Sequence, residues 1–339
     1  MLLAEAIKRE ARALGFDAVG ISRIDDSGQS PAELPSSLPP DPNSPLSRRL
    51  FSYLTDWLRL GYHGTMAWMT RDPSRRSDPR QILPGCRSMV SVGMNYYTNH
   101  RANEQPGMGR IARYAWGKDY HSVMSQRLAQ LEAKIAALAP GVTTRTYVDT
   151  GPIMEKAWAQ QAGLGWIGKH SNLVSAEYGS WLLLGEILTT LDLKENEPAT
   201  DLCGSCTLCI QACPTGAIVE PYVVDARLCI SYLTIELRGG REVISDELAS
   251  QMGNRIFGCD DCLDICPFNL QADPTNEPAF VPTPLTLAPS LQTLAQLSAE
   301  SFASTFKGSP LKRAKLSGLL RNVGIAQDNH QRQTEGRSP

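Results

Sequence analysis

Long apolar runs are missing from this chain of 339 residues. The longest, around Trp181-Leu-Leu-Leu-Gly, falls far short of the roughly 20 residues a membrane-crossing helix needs. No membrane partner is expected. The opening Met1-Leu-Leu-Ala-Glu-Ala-Ile-Lys-Arg-Glu mixes charges among its apolar residues and lacks the apolar segment of a signal peptide. A cytoplasmic location is the expectation. An excess of one charge is absent too: 33 basic and 35 acidic residues leave a net charge of −2, so no global basic field advertises nucleic acid. There is no internal repeat beyond a pair of cysteine runs. Nothing marks the chain as secreted, which argues against a disulfide framework and suits thiolates kept reduced.

Cysteine is what the chain has in one place. Eight of nine cysteines fall between Cys203 and Cys266. The first run, Cys203-Gly-Ser-Cys206-Thr-Leu-Cys209-Ile-Gln-Ala-Cys213-Pro214, has the bacterial ferredoxin spacing C-x₂-C-x₂-C-x₃-C-P. The second set is Cys229 and Cys259-Asp-Asp-Cys262-Leu-Asp-Ile-Cys266-Pro267. In two-cluster ferredoxins the fourth cysteine of a run crosses to the other cluster. Applied here, Cys203, Cys206, Cys209 and Cys266 hold one [4Fe–4S] cluster, and Cys213, Cys229, Cys259 and Cys262 hold the other. Zinc also takes four cysteines at C-x₂-C spacing, but it requires neither the third cysteine nor the Cys-Pro ending. Clusters that merely brace the fold are the blander alternative. Cys86, beside Pro84-Gly85, reads as a small buried apolar residue.

At this length two or three domains are expected, and 42% apolar content is enough for real cores. Leu3, Ile7 and Leu14 fit an opening amphipathic helix, and residues 16–22 a strand. Residues 31–45, rich in proline and serine, read as an exposed loop or a disordered insert. Leu50, Tyr53, Leu54, Trp57 and Leu58 fit one helix face. Residues 88–94 read as a strand. Residues 120–139 read as a helix with Leu128, Leu131, Ile135 and Leu138 inward. Strand 143–148 ends at Asp149-Thr150-Gly151-Pro152, with the proline placed to open a helix to residue 162. Strands follow at 171–175 and 180–190. The division expected is a mixed α/β domain over 1–195, a ferredoxin-like module over 196–275 and a short helical appendage over 276–339. That appendage turns helical around 310–326 and ends in a polar tail, 328–339.

Several blocks flank the cysteines: Gly61-Tyr-His-Gly-Thr-Met-Ala-Trp-Met, Asp78-Pro-Arg-Gln-Ile-Leu-Pro-Gly, Gly117-Lys-Asp-Tyr-His, Tyr147-Val-Asp-Thr-Gly-Pro, Gly165-Trp-Ile-Gly-Lys, Cys229-Ile-Ser-Tyr-Leu-Thr and Gly308-Ser-Pro-Leu-Lys-Arg. With these blocks, from about residue 1 to 325, the chain resembles the epoxyqueuosine reductases. The resemblance implies reduction of an epoxide on a modified guanosine at the wobble position of tRNA anticodons, giving queuosine. It implies two [4Fe–4S] clusters, cobalamin, and a nitroreductase-like cobalamin-binding domain related to reductive dehalogenases. The implied partners are an anticodon stem-loop carrying epoxyqueuosine and an external electron donor. Nothing demands a dimer, and a monomer is expected.

Asp149 matches the family's proton donor. An aspartate is ionised at neutral pH, so Asp149 needs an apolar or anionic setting to hold a proton. The alternative is that it caps the following helix. Cobalamin-cradling candidates are Tyr96, Arg113, Lys169, Asn172 and Ser231, with Gly165, Gly168 and Gly179 giving the ring close access to backbone. Asp119-Tyr-His121 lacks the glycine of the Asp-x-His-x-x-Gly motif, so the corrinoid is expected without a histidine below the metal; His121 reads as a helix N-terminal residue. Lys307, Lys312, Arg313, Lys315 and Arg321, with no acid among them, are the candidate phosphate contacts. Arg71, Arg75, Arg76 and Arg80 form a second, diluted basic cluster. Trp68 and Trp116 are possible stacking platforms. Many family members continue into a helical, HEAT-like repeat that helps hold tRNA; here the polar tail leaves the extent of that contact open. Two further readings stand beside this one. The first is a related corrinoid reductase of a small molecule such as an organohalide, and the second is a ferredoxin-type electron carrier.

Overall fold

The computed structural model describes residues 2–24 and 44–336. Of the proline-rich 31–45 stretch, residues 31–43 lie outside those described. The chain divides into two compact units: Met1–Asn95 with His121–Ser205, and Tyr96–Tyr120 with Cys206–Pro339.

The first unit is built on a four-stranded antiparallel sheet in the order Ala18–Arg23, Ser88–Asn95, Leu182–Thr189, Thr144–Tyr147. Every residue of Ser88–Asn95 is buried, as expected for an inner strand covered on both faces. On one face Met89 and Leu188 pack with Leu50, Leu83, Cys86, Ile153 and Trp158. On the other, the Tyr120–Leu138 helix presents Met124, Leu128, Leu131 and Ile135, all essentially inaccessible. A Cβ at Gly185 would sit 3.0 Å from Leu128 Cδ1, so glycine lets that helix close on the sheet. One inward assignment gives way: Leu138 is exposed, at the last residue of its helix; Tyr53, on the same expected face as Leu50 and Leu54, is exposed while those two are buried. The helix after Asp149 starts at Glu155, not at Pro152.

The second unit gathers around Arg255–Phe257, paired in parallel with Arg110–Ile111. Ile111, Trp116, Ile256, Phe257, Leu294, Phe306, Leu319 and Val323 share its core. The expected three-part division therefore gives way on two counts. Residues 96–120 belong with the cysteine module, and the C-terminal segment is part of that unit's core rather than an appendage. The polar tail is also corrected: the last helix spans Lys315–Thr334. Asn329, inside the expected tail, is buried and donates to Ala249 O and Gly253 O at 2.7 and 2.9 Å. A polar sequence hid this, because amides that replace missing backbone partners are as much core as leucine is. Among the described residues no helix is long and apolar enough to cross a membrane.

Candidate active site and cluster ligands

In the first unit, Asp149 follows the Thr144–Tyr147 strand in a left-handed conformation, φ 55°. Aspartate tolerates that region better than most residues. The turn closes because Gly151 carries no side chain: a Cβ there would lie 2.3 Å from Tyr147 Cδ1. The Asp149 N–H donates to Glu155 Oε1 at 2.7 Å, and Asp149 Oδ2 lies 3.3 Å from His121 Nε2. The Asp149 side chain remains 62% exposed. It does not cap the next helix, whose N-cap is Met154 with no side-chain bond. His121 stands in the first turn of the Tyr120–Leu138 helix, as expected.

Two carboxyl groups behind this loop escaped the sequence reading. Burial, reinforced by the charge of Asp149, pushes Glu155 up to about 7, against the pull of the Asp149 N–H, Lys156 and His121. Glu186, opposite Tyr147 in the sheet, is wholly buried, and burial raises its carboxyl well above the usual range. It accepts the Ser91 hydroxyl at 2.7 Å; its other oxygen has no partner among the described residues. The signal available was a lone acid within the apolar run 182–188.

Lys169 and Asn172 belong to a small hairpin, Trp166–Ile167 with Leu173–Val174. Asn172 Oδ1 accepts from Lys156 Nζ at 2.7 Å, and Lys169 Nζ donates to Gly204 O at 2.6 Å. Gly165 and Gly168 are explained by the hairpin itself. A Cβ at either would meet Val174, at 2.3 Å from its carbonyl oxygen and 2.7 Å from Cγ2 respectively. Neither glycine needs a ligand to account for it. Burial lowers His170 to about 4, leaving a neutral imidazole whose Nδ1 accepts the Asn172 N–H.

The second unit contains Cys213, Cys229, Cys259 and Cys262, the four cysteines expected at one cluster. Burial raises the Cys262 thiol first, and the charges of Cys259, Cys229 and Cys213 add to it. Cys259 is pushed up to about 12 by burial and by Asp261. Such thiols lose their protons on binding metal. Among the described residues no group of three or more His, Cys, Asp or Glu side chains is arranged to hold a metal ion. Cys229 begins the Ile230–Ile235 helix as its N-cap; burial raises its thiol, and hydrogen bonds involving Tyr232 and Ser231 offset that only in part. Thr234 Oγ1 accepts the Gly258 N–H at 2.9 Å, joining that helix to the second cysteine run.

Tyr96 and Arg113 lie in this unit beside that run. The Arg113 N–H donates to Asp260 Oδ2 at 2.7 Å, and its guanidinium reaches Asp264 at 3.4 Å and His100 O at 3.0 Å. Burial raises Asp260 to about 7 and the Tyr96 phenol well above its ordinary value. The Thr98 hydroxyl, buried beside them, has no partner among the described residues.

The basic residues divide. Lys307, Lys312, Arg313 and Lys315 are exposed, with Arg313 bonded to Glu236 at 2.8 Å. Arg321 is only 8% exposed. Its guanidinium donates to Leu233 O, to Leu237 O at 2.9 Å and to Gly239 O at 3.3 Å. It is a packing residue and not a phosphate contact, because those carbonyls take the donors a phosphate would need. Trp116 is likewise buried, donating to Ile111 O at 2.7 Å, and cannot stack on a base. Trp68 is exposed, with the Arg76 guanidinium 5.0 Å from its ring centre.

Known proteins resemble both units. Residues 76–150 match the family described as epoxyqueuosine reductase QueG, DUF1730. Residues 202–269 match the 4Fe-4S double cluster binding domain. The chain is 45% identical over 327 residues to the epoxyqueuosine reductase of Gloeobacter violaceus, covering 95% of each. It is 41% identical over 331 residues to that of Escherichia coli, covering 96% of this chain and 81% of that one. Among solved structures it is similar to an epoxyqueuosine reductase bound to an epoxyqueuosine-modified tRNA-Tyr stem loop. The TM-score is 0.84 at 30% identity, covering 97% of this chain and 82% of that one. The Bacillus subtilis epoxyqueuosine reductase with its catalytic aspartate loop swung out of the active site gives 0.84 at 29% identity, covering 98% and 83%.

Proposed function

The chain belongs to the epoxyqueuosine reductase family, and we propose that it reduces epoxyqueuosine to queuosine at the wobble position of tRNA anticodons, with Asp149 as the acid. The observation that carries the acid role is the setting of Asp149. It is held off the helix it was free to cap, 3.3 Å from His121 and bonded through its N–H to the half-buried Glu155 carboxyl group. Neighbouring carboxyl groups disfavour each other's ionised forms, so Glu155, itself raised to about 7 by burial and by Asp149, would share a proton with Asp149 that Asp149 can deliver. His121 is placed to return it.

Removing the epoxide oxygen consumes two electrons and two protons and releases water. The eight cysteines would hold two [4Fe–4S] clusters that accept electrons singly from an external donor. Cobalamin would be held by residues that include Tyr96, Arg113 and the unpartnered Thr98 hydroxyl, a phenol, a cation and a hydroxyl suited to a ligand rich in amides and a phosphate. Asn172 and Ser231 remain candidates of the same kind. When bound, cobalamin supplies a strongly reducing nucleophile for the epoxide carbon. Asp149 holds and delivers the proton for the leaving oxygen. The reading also takes in a nitroreductase-like first domain, a monomer and a cytoplasmic location. Lys307, Lys312, Arg313 and Lys315 are the exposed cations that would meet anticodon-stem phosphates.

An anaerobic assay on an anticodon stem-loop carrying epoxyqueuosine, with and without added cobalamin, tests the reading. Cobalamin-dependent queuosine is expected, and its absence from cluster-loaded protein overturns the proposal. In the same assay Asp149→Asn should lower turnover by about 10²–10⁴-fold, the usual worth of a positioned acid, with iron and corrinoid content intact. Undiminished turnover rejects the acid role.

A further inference from the structure

The first unit contains a contact that the proton chemistry leaves unused. Trp166, 2% exposed, points its indole Nε1 at Cys203 Sγ, 3.4 Å away. Three residues on, the Lys169 ammonium meets the next carbonyl of the same segment, Gly204 O, at 2.6 Å. Lys169 is itself buried. Cys203 is oriented from its other side, where its N–H donates to Asp201 Oδ1 at 2.7 Å. The two gripping side chains come from one hairpin whose glycines leave no slack against Val174. This segment is therefore held by a rigid element, and held by two groups of the same electrical sense: an N–H dipole and a positive charge.

We propose that Trp166 and Lys169 tune the reduction potential of the cluster that Cys203 ligates, raising it so that this cluster accepts an electron more readily. Trp166 is a donor only, and a hydrogen bond to a cluster sulfur is one of the levers by which a protein sets cluster potential. On reduction the cluster gains one electron and one negative charge, with no bond made or broken. The indole N–H and the ammonium both favour the more negative state. Because both lie out of bulk water, screening is weak. Lys169 thereby passes from a candidate cobalamin contact to a residue of the cluster loop, and the family-like block Gly165-Trp-Ile-Gly-Lys acquires a physical purpose.

The inference rests on the cluster reading of the cysteines, and its test separates the two. Anaerobically reconstituted full-length protein is first analysed for iron and inorganic sulfide; a deficit there sinks the cluster reading itself. With a full complement, dithionite titration followed by electron paramagnetic resonance compares wild type with Trp166→Phe and Lys169→Met. At the potential where one wild-type cluster is half reduced, each variant should show its reduced-to-oxidised ratio lowered at least threefold, with the other cluster unmoved. Equal ratios in all three proteins overturn the proposal. If either variant fails to retain its iron, wild-type protein grown with ¹⁵N-indole tryptophan decides. A nitrogen hyperfine coupling to one reduced cluster is expected, and none at either cluster overturns the role of Trp166.

Discussion

The cysteine module and the Asp149 loop carry their chemistry in opposite ways. In the module, three of the proposed ligands sit within seven residues, from Cys203 to Cys209, and their spacing alone points to them. Around Asp149, the working groups are spread from His121 to Glu186 and meet only because a helix, a loop and a sheet strand are packed together. Cluster ligation is a matter of which sulfurs the chain can bring to one body, and short spacers settle that. Proton affinity is a matter of surroundings, and no spacing encodes those. The first kind of site should fail outright when one member is removed, and the second should shift by degrees.

The sharpest contrast comes from Cys262→Ser. Loss of one of four thiolates should cost that cluster, leaving about half the iron and no detectable turnover by iron analysis and stem-loop assay. Full iron content would break the assignment of Cys262 to the tetrad with Cys213, Cys229 and Cys259.

Next in size is Arg321→Ala. Truncation leaves Leu233 O, Leu237 O and Gly239 O without their donor, which should cost about 2–4 kcal/mol in chemical denaturation. The salt dependence of RNA binding should not change. A variant as stable as wild type but weaker on RNA would return Arg321 to the phosphate contacts.

Glu155→Gln should act through pH. The folded-state value is raised to about 7 from an ordinary 4.5, so the native state binds the extra proton between those limits. Stability from this group is full below about pH 4.5 and is withdrawn as pH rises through about 7, by up to about 3 kcal/mol. Denaturation at pH 5 and pH 8 should therefore show a smaller loss in Glu155→Gln than in wild type. An identical loss would mean that Glu155 is not held protonated by its burial.

The smallest effect on the fold belongs to the exposed cations. Neutralising Lys312, Arg313 and Lys315 together should leave stability within about 0.5 kcal/mol per site. It should still weaken stem-loop binding and flatten its dependence on salt. Binding indifferent to the change would remove this surface from the RNA contact.

Much of the fold was open to reading. The strands near 18–23, 88–95, 144–147 and 182–189 announce themselves by apolar content, and the Tyr120–Leu138 helix by its period. The unit boundary was not, because residues 96–120 join the cysteine module through contacts such as Arg113 with Asp260 and Asp264, which are more than a hundred residues away in sequence. The C-terminal helix misled for a similar reason. Arg321 and Asn329 read as surface and are buried, since each satisfies backbone carbonyls that the core would otherwise leave bare.

What the residue order settled unaided is the family and its 4Fe-4S double cluster binding domain, because short cysteine spacers and a following proline restrict the chain before any tertiary contact forms. What folding alone settled is which polar groups are buried and which cations are exposed. Glu155 is an ordinary glutamate until burial and Asp149 surround it, and Arg321 is an ordinary surface arginine until a helix from the cysteine module claims its hydrogens. Desolvation and partner geometry are properties of the packed interior, and they have no counterpart in the linear chain.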